Sequence, residues 1–137
     1  MRLWHKELIA YLPQKQLVSQ WRECCGIARN INVLGHPNHI LVNKIMDYPI
    51  EHFIAYSRLV ADEMIARGYK VHWNRFMKWF PDESVSDLNR EDIFKGWHNR
   101  RYLKQCYHNL EEKNDCNGIP IKDWQEVYRR WGWIDES

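Results

Sequence analysis

Apolar side chains recur along this chain at steps of three and four residues and nowhere alternate with polar ones. That pattern predicts helices and no strands. Leu17, Trp21, Cys24, Ala28 and Ile31 form one stripe. The first helix is expected to open at Pro13, whose missing N–H costs nothing in a first turn, and to stop at Gly35 and Pro37. From His36 to Met46 the pattern lapses into a loop. Its apolar piece Ile40-Leu41-Val42 is a brief strand or an irregular buried segment, and the second reading is favoured. A second helix has Asp47 as candidate N-cap, Pro49 just inside, and Phe53, Ile54, Tyr56, Val60, Met64 and Ile65 inward. Arg67-Gly68 ends it, a basic residue followed by a glycine stop. Trp73 to Phe80 predicts a short helix closed by Pro81, followed by a polar surface loop over 81–92. A third helix runs from about Asn99 to Lys113 with Tyr102, Leu103, Cys106, Tyr107 and Leu110 inward. Asn117-Gly118 breaks it, and Pro120 opens a last short helix to about Trp131. The expected fold is all-α: a single compact domain over residues 1–137, with three principal helices plus short helices and long loops.

Composition agrees with a packed core. The chain has 137 residues, 45% of them hydrophobic and 14% aromatic, which excludes disorder throughout. No apolar run approaches the roughly 18 residues of a membrane span, and the first residues do not read as a signal peptide. The expectation is a soluble, cytoplasmic protein with no membrane contact and no evident obligate protein partner. Cys24, Cys25, Cys106 and Cys116 form no CxxC pair, so zinc-ribbon and thioredoxin readings lack support. All four read as small buried hydrophobes.

A net charge of +2 does not announce a nucleic-acid binder. Its distribution says more. Residues 1–45 hold six basic against two acidic groups, whereas residues 111–137 hold four against seven. The basic N-terminal third is able to make a local positive face, and ordinary solvated charge explains the numbers equally well.

Nucleotide-loop, metalloprotease and serine-hydrolase motifs are absent. His36-x-x-His39 lacks a signalled third ligand and reads as loop histidines, so no metal is expected. Asp62-Glu63 reads as a solvated face. Glu23 sits among Trp21, Arg22, Cys24 and Cys25. It is either half of a partly buried ion pair, which composition alone favours, or a tuned functional acid. Tyr128-Arg129-Arg130-Trp131-Gly132-Trp133 interleaves aromatic and basic groups. Such residues stack on bases and touch phosphates, or they cap a small core. His39 and Asn43, ahead of the second helix, are possible pocket residues.

Taken together, Met1-Arg2-Leu3-Trp4, Tyr11-Leu12, Leu17 and Trp21-Arg22-Glu23 resemble the pyrimidine-dimer DNA glycosylase and abasic-site lyase family, of the phage endonuclease V type. Tyr56 to Val71, ending Ala66-Arg67-Gly68-Tyr69-Lys70-Val71, is similar to that family's second helix. Asn109-Leu110-Glu111-Glu112-Lys113 resembles the end of its third, and Tyr128-Arg129-Arg130-Trp131-Gly132 its aromatic-basic stretch. The resemblance implies a one-domain helical fold and excision of a pyrimidine from a cyclobutane dimer, followed by β-elimination at the abasic site. It implies a free N-terminal α-amine as nucleophile and a first-helix glutamate, here Glu23, as second catalytic group. The bulky Arg2 should block methionine removal, which places the amine on Met1. Arg2 and Arg22 would hold phosphates, Gln16, Arg129, Arg130 and Trp131 would complete the DNA contact, and no metal or cofactor is required. Where the family's phage member has further basic character, this chain has Cys24-Cys25-Gly26, and a weaker phosphate grip is expected there. The expected partner is damaged double-stranded DNA. The alternative is a non-catalytic helical nucleic-acid-binding module on the same scaffold.

Overall fold

The computed structural model describes residues 2–33, 39–84 and 87–136. Six α-helices occur among them: α1 (Gln14–Val33), α2 (Ile40–Met46), α3 (Ile50–Ala66), α4 (Trp73–Met77), α5 (Arg100–Asp115) and α6 (Ile121–Trp131). Short 3-10 turns span Lys6–Tyr11, Arg90–Asp92 and Ile134–Glu136. The described residues contain no strand. The fold is all-α, and α1, α3 and α5 are its longest helices.

Each long helix buries the stripe its sequence writes. α1 turns Leu17, Cys24, Ile27 and Ala28 inward, α3 turns Phe53, Ile54, Tyr56, Val60 and Met64, and α5 turns Leu103, Cys106, Tyr107 and Leu110. Ile65 departs from expectation and is 48% exposed. It lies one step beyond Met64, where the last turn of α3 rotates out of the core. The three prolines expected inside first turns stand one position earlier, at the caps. The carbonyls of Pro13 and Pro120 accept the first helical bonds, from Leu17 N–H at 3.0 Å and Trp124 N–H at 3.0 Å. The α3 stop is as expected: Gly68 has φ +90°, and Tyr69 N–H reaches back to the Met64 carbonyl at 2.9 Å. Only glycine takes that backbone conformation without strain. The stop at Gly35 and Pro37 lies outside the described residues.

α2 corrects the loop expected over His36 to Met46. A seven-residue helix is too short for a clear period, and its β-branched opening imitates a strand. Its cap is also unusual: His39 Nδ1 accepts from Leu41 N–H at 3.1 Å. Asp47 closes α2 and does not open α3; its N–H donates to the Asn43 carbonyl at 3.2 Å.

The sequence pattern gave no sign of the turn Lys6–Tyr11, yet it is a structural hub, packing on α3, α5 and α6. Lys6 is buried there with its Nζ donating to the carbonyls of Glu91 (2.9 Å) and Ile93 (2.7 Å). Arg67, at the end of α3, donates to the Leu12 carbonyl at 2.8 Å and the Ala10 carbonyl at 3.2 Å. These bonds satisfy carbonyls that a short turn leaves open. Of the cysteines, Cys24 and Cys106 are buried, Cys25 is half-buried and Cys116 is exposed, all as free thiols. Cys116 corrects the expectation of burial because it caps α5 beyond the apolar stripe. No described helix is long and apolar enough to cross a membrane.

Candidate active site

The segment ahead of the first turn, Arg2 to His5, is extended and buried except at Arg2. An extended buried strand with no sheet must find partners for its backbone elsewhere. Here side chains from three helices supply them. Gln20 of α1 acts as a surrogate strand: its Oε1 accepts from Trp4 N–H at 2.7 Å and its Nε2 donates to the Arg2 carbonyl at 3.0 Å. Tyr56 of α3 donates its hydroxyl to the Trp4 carbonyl at 2.6 Å. Tyr102 of α5 donates to the Leu3 carbonyl. Past the segment, Lys6 N–H donates to Nδ1 of the buried His98 at 3.0 Å.

The clamp delivers the Arg2 nitrogen to Glu23, where its N–H donates to Oε2 at 3.2 Å. Gln20 Nε2 lies 3.5 Å from the same oxygen. Glu23 is in none of the ion pairs found among the described residues, so the ion-pair reading of this carboxylate is replaced by a bond to the chain's leading backbone. Burial governs the ionisation of the clamp. It pushes His5 down to about 4 and His98 to about 2, and drives the Tyr56 and Tyr102 hydroxyls far up. The clamp is therefore neutral at physiological pH.

Glu23 opens into a cleft of about 540 Å³ lined by Arg2, Trp4, Lys15, Gln16, Ser19, Gln20, Asn109, Lys113, Cys116 and Gly118. Arg2, Lys15 and Lys113 set three cations around one carboxylate, a lining that suits a polyanionic ligand. Gln16 Oε1 is buried and has no partner among the described residues. At Gly118 a Cβ would stand 3.0 Å from the Lys113 carbonyl, a contact tight enough that the end of α5 would have to shift slightly to accept one.

Of the residues the sequence singled out, the cleft gathers Arg2, Gln16 and Glu23. His39 and Asn43 line a second cleft of about 620 Å³ with Ile40, Lys44, Trp97 and Tyr102, which adjoins the first at Arg2. Arg22 is exposed on α1 and lines neither. Arg129 pairs with Glu126 at 2.7 Å, and Arg130 lies 3.8 Å over the Trp131 ring. Trp131 is buried, edge-on to Tyr11, and presents no face for stacking on a base. Met1 and His36 lie outside the described residues. No group of three or more His, Cys, Asp or Glu able to hold a metal occurs among the described residues. Lys15, Ser19, Gln20, Asn109 and Lys113 were missed as site residues. Gln20 carried a signal: it stands between Leu17 and Cys24 on the inward stripe, and a buried amide demands partners.

This all-α molecule, with a cation-lined cleft converging on one carboxylate, has the frame of a helical polyanion-binding protein. A family model described as pyrimidine dimer DNA glycosylase matches residues 1–77. That is more than half of the chain, and the chain belongs to this family of DNA-repair glycosylases. No curated protein and no solved structure matches it.

Proposed function

We propose that the protein excises a pyrimidine from damaged duplex DNA and then cleaves the abasic site by β-elimination, with the Met1 α-amine as nucleophile and Glu23 as its acidic partner. The observation that carries this reading is the 3.2 Å bond from the Arg2 nitrogen, the atom to which residue 1 is joined, to Glu23 Oε2. Consecutive residues are only about 3.8 Å apart along the chain, so an amine on residue 1 is tethered to the neighbourhood of that carboxylate. Family membership supports the DNA glycosylase activity.

An α-amine has an ordinary pKa of about 7.7–8.0, so a usable fraction is neutral near pH 7, unlike a lysine amine. The neutral amine attacks C1′ of the damaged nucleotide. The C1′–N bond breaks, the base leaves with the bonding pair, and loss of a proton from nitrogen followed by ring opening yields an imine. The imine withdraws electrons from C2′. Removal of the 2′ proton then drives formation of the C2′–C3′ double bond and departure of the 3′ phosphate. Glu23 stabilises positive charge on the sugar during base departure and passes protons. Arg2, Lys15 and Lys113 neutralise the flanking phosphates. The unpartnered Gln16 Oε1 is an acceptor for a base N–H. Entry of the nucleotide requires its extrusion from the duplex, at a cost of a few kcal/mol that is lower at a damaged step.

The test is borohydride trapping on dimer-containing and abasic duplexes, with peptide mapping of the adduct. A covalent adduct on residue 1 is expected, and Glu23→Gln should abolish strand cleavage while retaining DNA binding. A protein that binds both duplexes and traps with neither is a binding module and not an enzyme.

A further inference from the structure

The cleft around Glu23 is one of three that adjoin. It meets the second at Arg2, and at Asn109 it meets a third of about 440 Å³. The third follows the outer side of α5 along Arg101, Lys104, Gln105, His108 and Glu112, and Gln105 joins it back to the second. On this face His108 is paired with Glu111 and Asp135, whereas the arginine and the lysines are unpaired among the described residues. Ion pairs among the described residues occupy Arg58, Arg67, His108 and Arg129, and Arg101, Lys104 and Lys113 take part in none. Arg101 and Lys104 stand in the first turns of α5, and Lys113, near its end, already lines the Glu23 cleft. At 1.5 Å and 100° per residue the helix sets Lys113 about 18 Å beyond Arg101 and on the flank opposite Lys104, so a strand touching all three crosses α5 obliquely, over about five base-pair steps of duplex rise. The arginines near the C-terminus are placed differently. Arg129 is held by Glu126, Arg130 rests on Trp131, and neither lines any of the three clefts.

We infer that α5 is the phosphate track of the enzyme: one strand of the duplex runs along its outer face on Arg101 and Lys104 toward Lys113, and Arg129 and Arg130 lie outside the grip. The assignment rests on the DNA-repair reading above for the identity of the polyanion. It adds where the backbone lies and which cations hold it. A separate cleft lined by Glu51, Glu83, Asp87 and Asp92 would repel the same strand.

The experiment compares the parent protein, Arg101→Gln/Lys104→Gln and Arg129→Gln/Arg130→Gln. It measures binding to an abasic duplex against salt concentration, and single-turnover cleavage at saturating protein. Each lost phosphate contact should lower the slope of log affinity against log salt by about 0.9. The α5 pair should lose close to two such increments and at least tenfold in low-salt affinity. The C-terminal pair should keep the parent slope. If the α5 pair keeps the parent slope and the parent still cleaves, the track is refuted and the glycosylase reading stands. If the parent neither cleaves nor traps but the α5 pair loses slope, the surface stands as a DNA face and the enzymatic reading falls.

Discussion

Gln20 is the side chain on which the site's geometry turns. One amide bridges the Arg2 carbonyl and the Trp4 N–H, and it lies against Glu23. Gln20→Leu leaves those backbone groups unpaired, at about 1–3 kcal/mol for each one, and a lower melting midpoint together with slower single-turnover cleavage is expected. Gln20→Glu separates positioning from mere stability. It keeps the acceptor for Trp4 but sets a second carboxylate beside Glu23, and two close carboxylates share a proton. The acid limb of the pH–rate profile should therefore move to higher pH in this variant; an unmoved profile would exclude Gln20 from the site's electrostatics. At this scale the sequence was legible where a residue type is rare in its surroundings. Glu23 stood out among apolar neighbours, whereas Gln20 looked like any polar helix residue until its place on the inward stripe was weighed. Trp131 attracted notice for its aromatic-basic setting, and composition does not reveal that it turns inward from α6.

Among the elements, α6 and the clamp around His98 yield two further expectations. Trp131 closes the core at the end of α6, so Trp131→Ala should cost about 3–5 kcal/mol of stability. DNA affinity of the protein that remains folded should be unchanged. Chemical denaturation and binding titrations measure the two separately. The clamp histidines set the acid response. His5 and His98 are stacked with ring centroids 5.0 Å apart, and burial holds both below the ordinary imidazole value. Between about pH 6.5 and 4 the unfolded chain takes up protons that the folded clamp refuses, so acid favours unfolding. The stability is present above pH 6.5 and is lost as the pH falls toward 4. His108 runs the other way, raised by its bonds to Asp135 and Glu111. Its contribution is complete in acid and fades as pH rises through its folded value, but it is exposed and screened. The buried pair should dominate, and the melting midpoint should drop from pH 6.5 to 4; a flat profile would overturn this assignment. The long helices were legible from period alone. α2 and the Lys6–Tyr11 turn were not, because neither is long enough to establish a repeat.

Over the whole molecule, a net charge of +2 conceals a separation of sign. Arg2, Lys15 and Lys44 come from the basic N-terminal third, and they meet Arg101, Lys104 and Lys113 of α5 around one set of adjoining clefts. The charge excess of the N-terminal third was readable in the sequence. Its union with α5 was not, since it depends on two helices about eighty residues apart being brought together.

The partners of the opening segment lie far along the chain: Gln20, then Tyr56, then His98 and Tyr102. The segment is therefore fully held only once α5 has packed against it. Assembly of the candidate site coincides with completion of the core: a chain ending before residue 98 keeps the partners Gln20, Glu23 and Tyr56 but lacks His98 and Tyr102. The geometry around Glu23 is thus a product of the whole tertiary fold and not of its first helix alone.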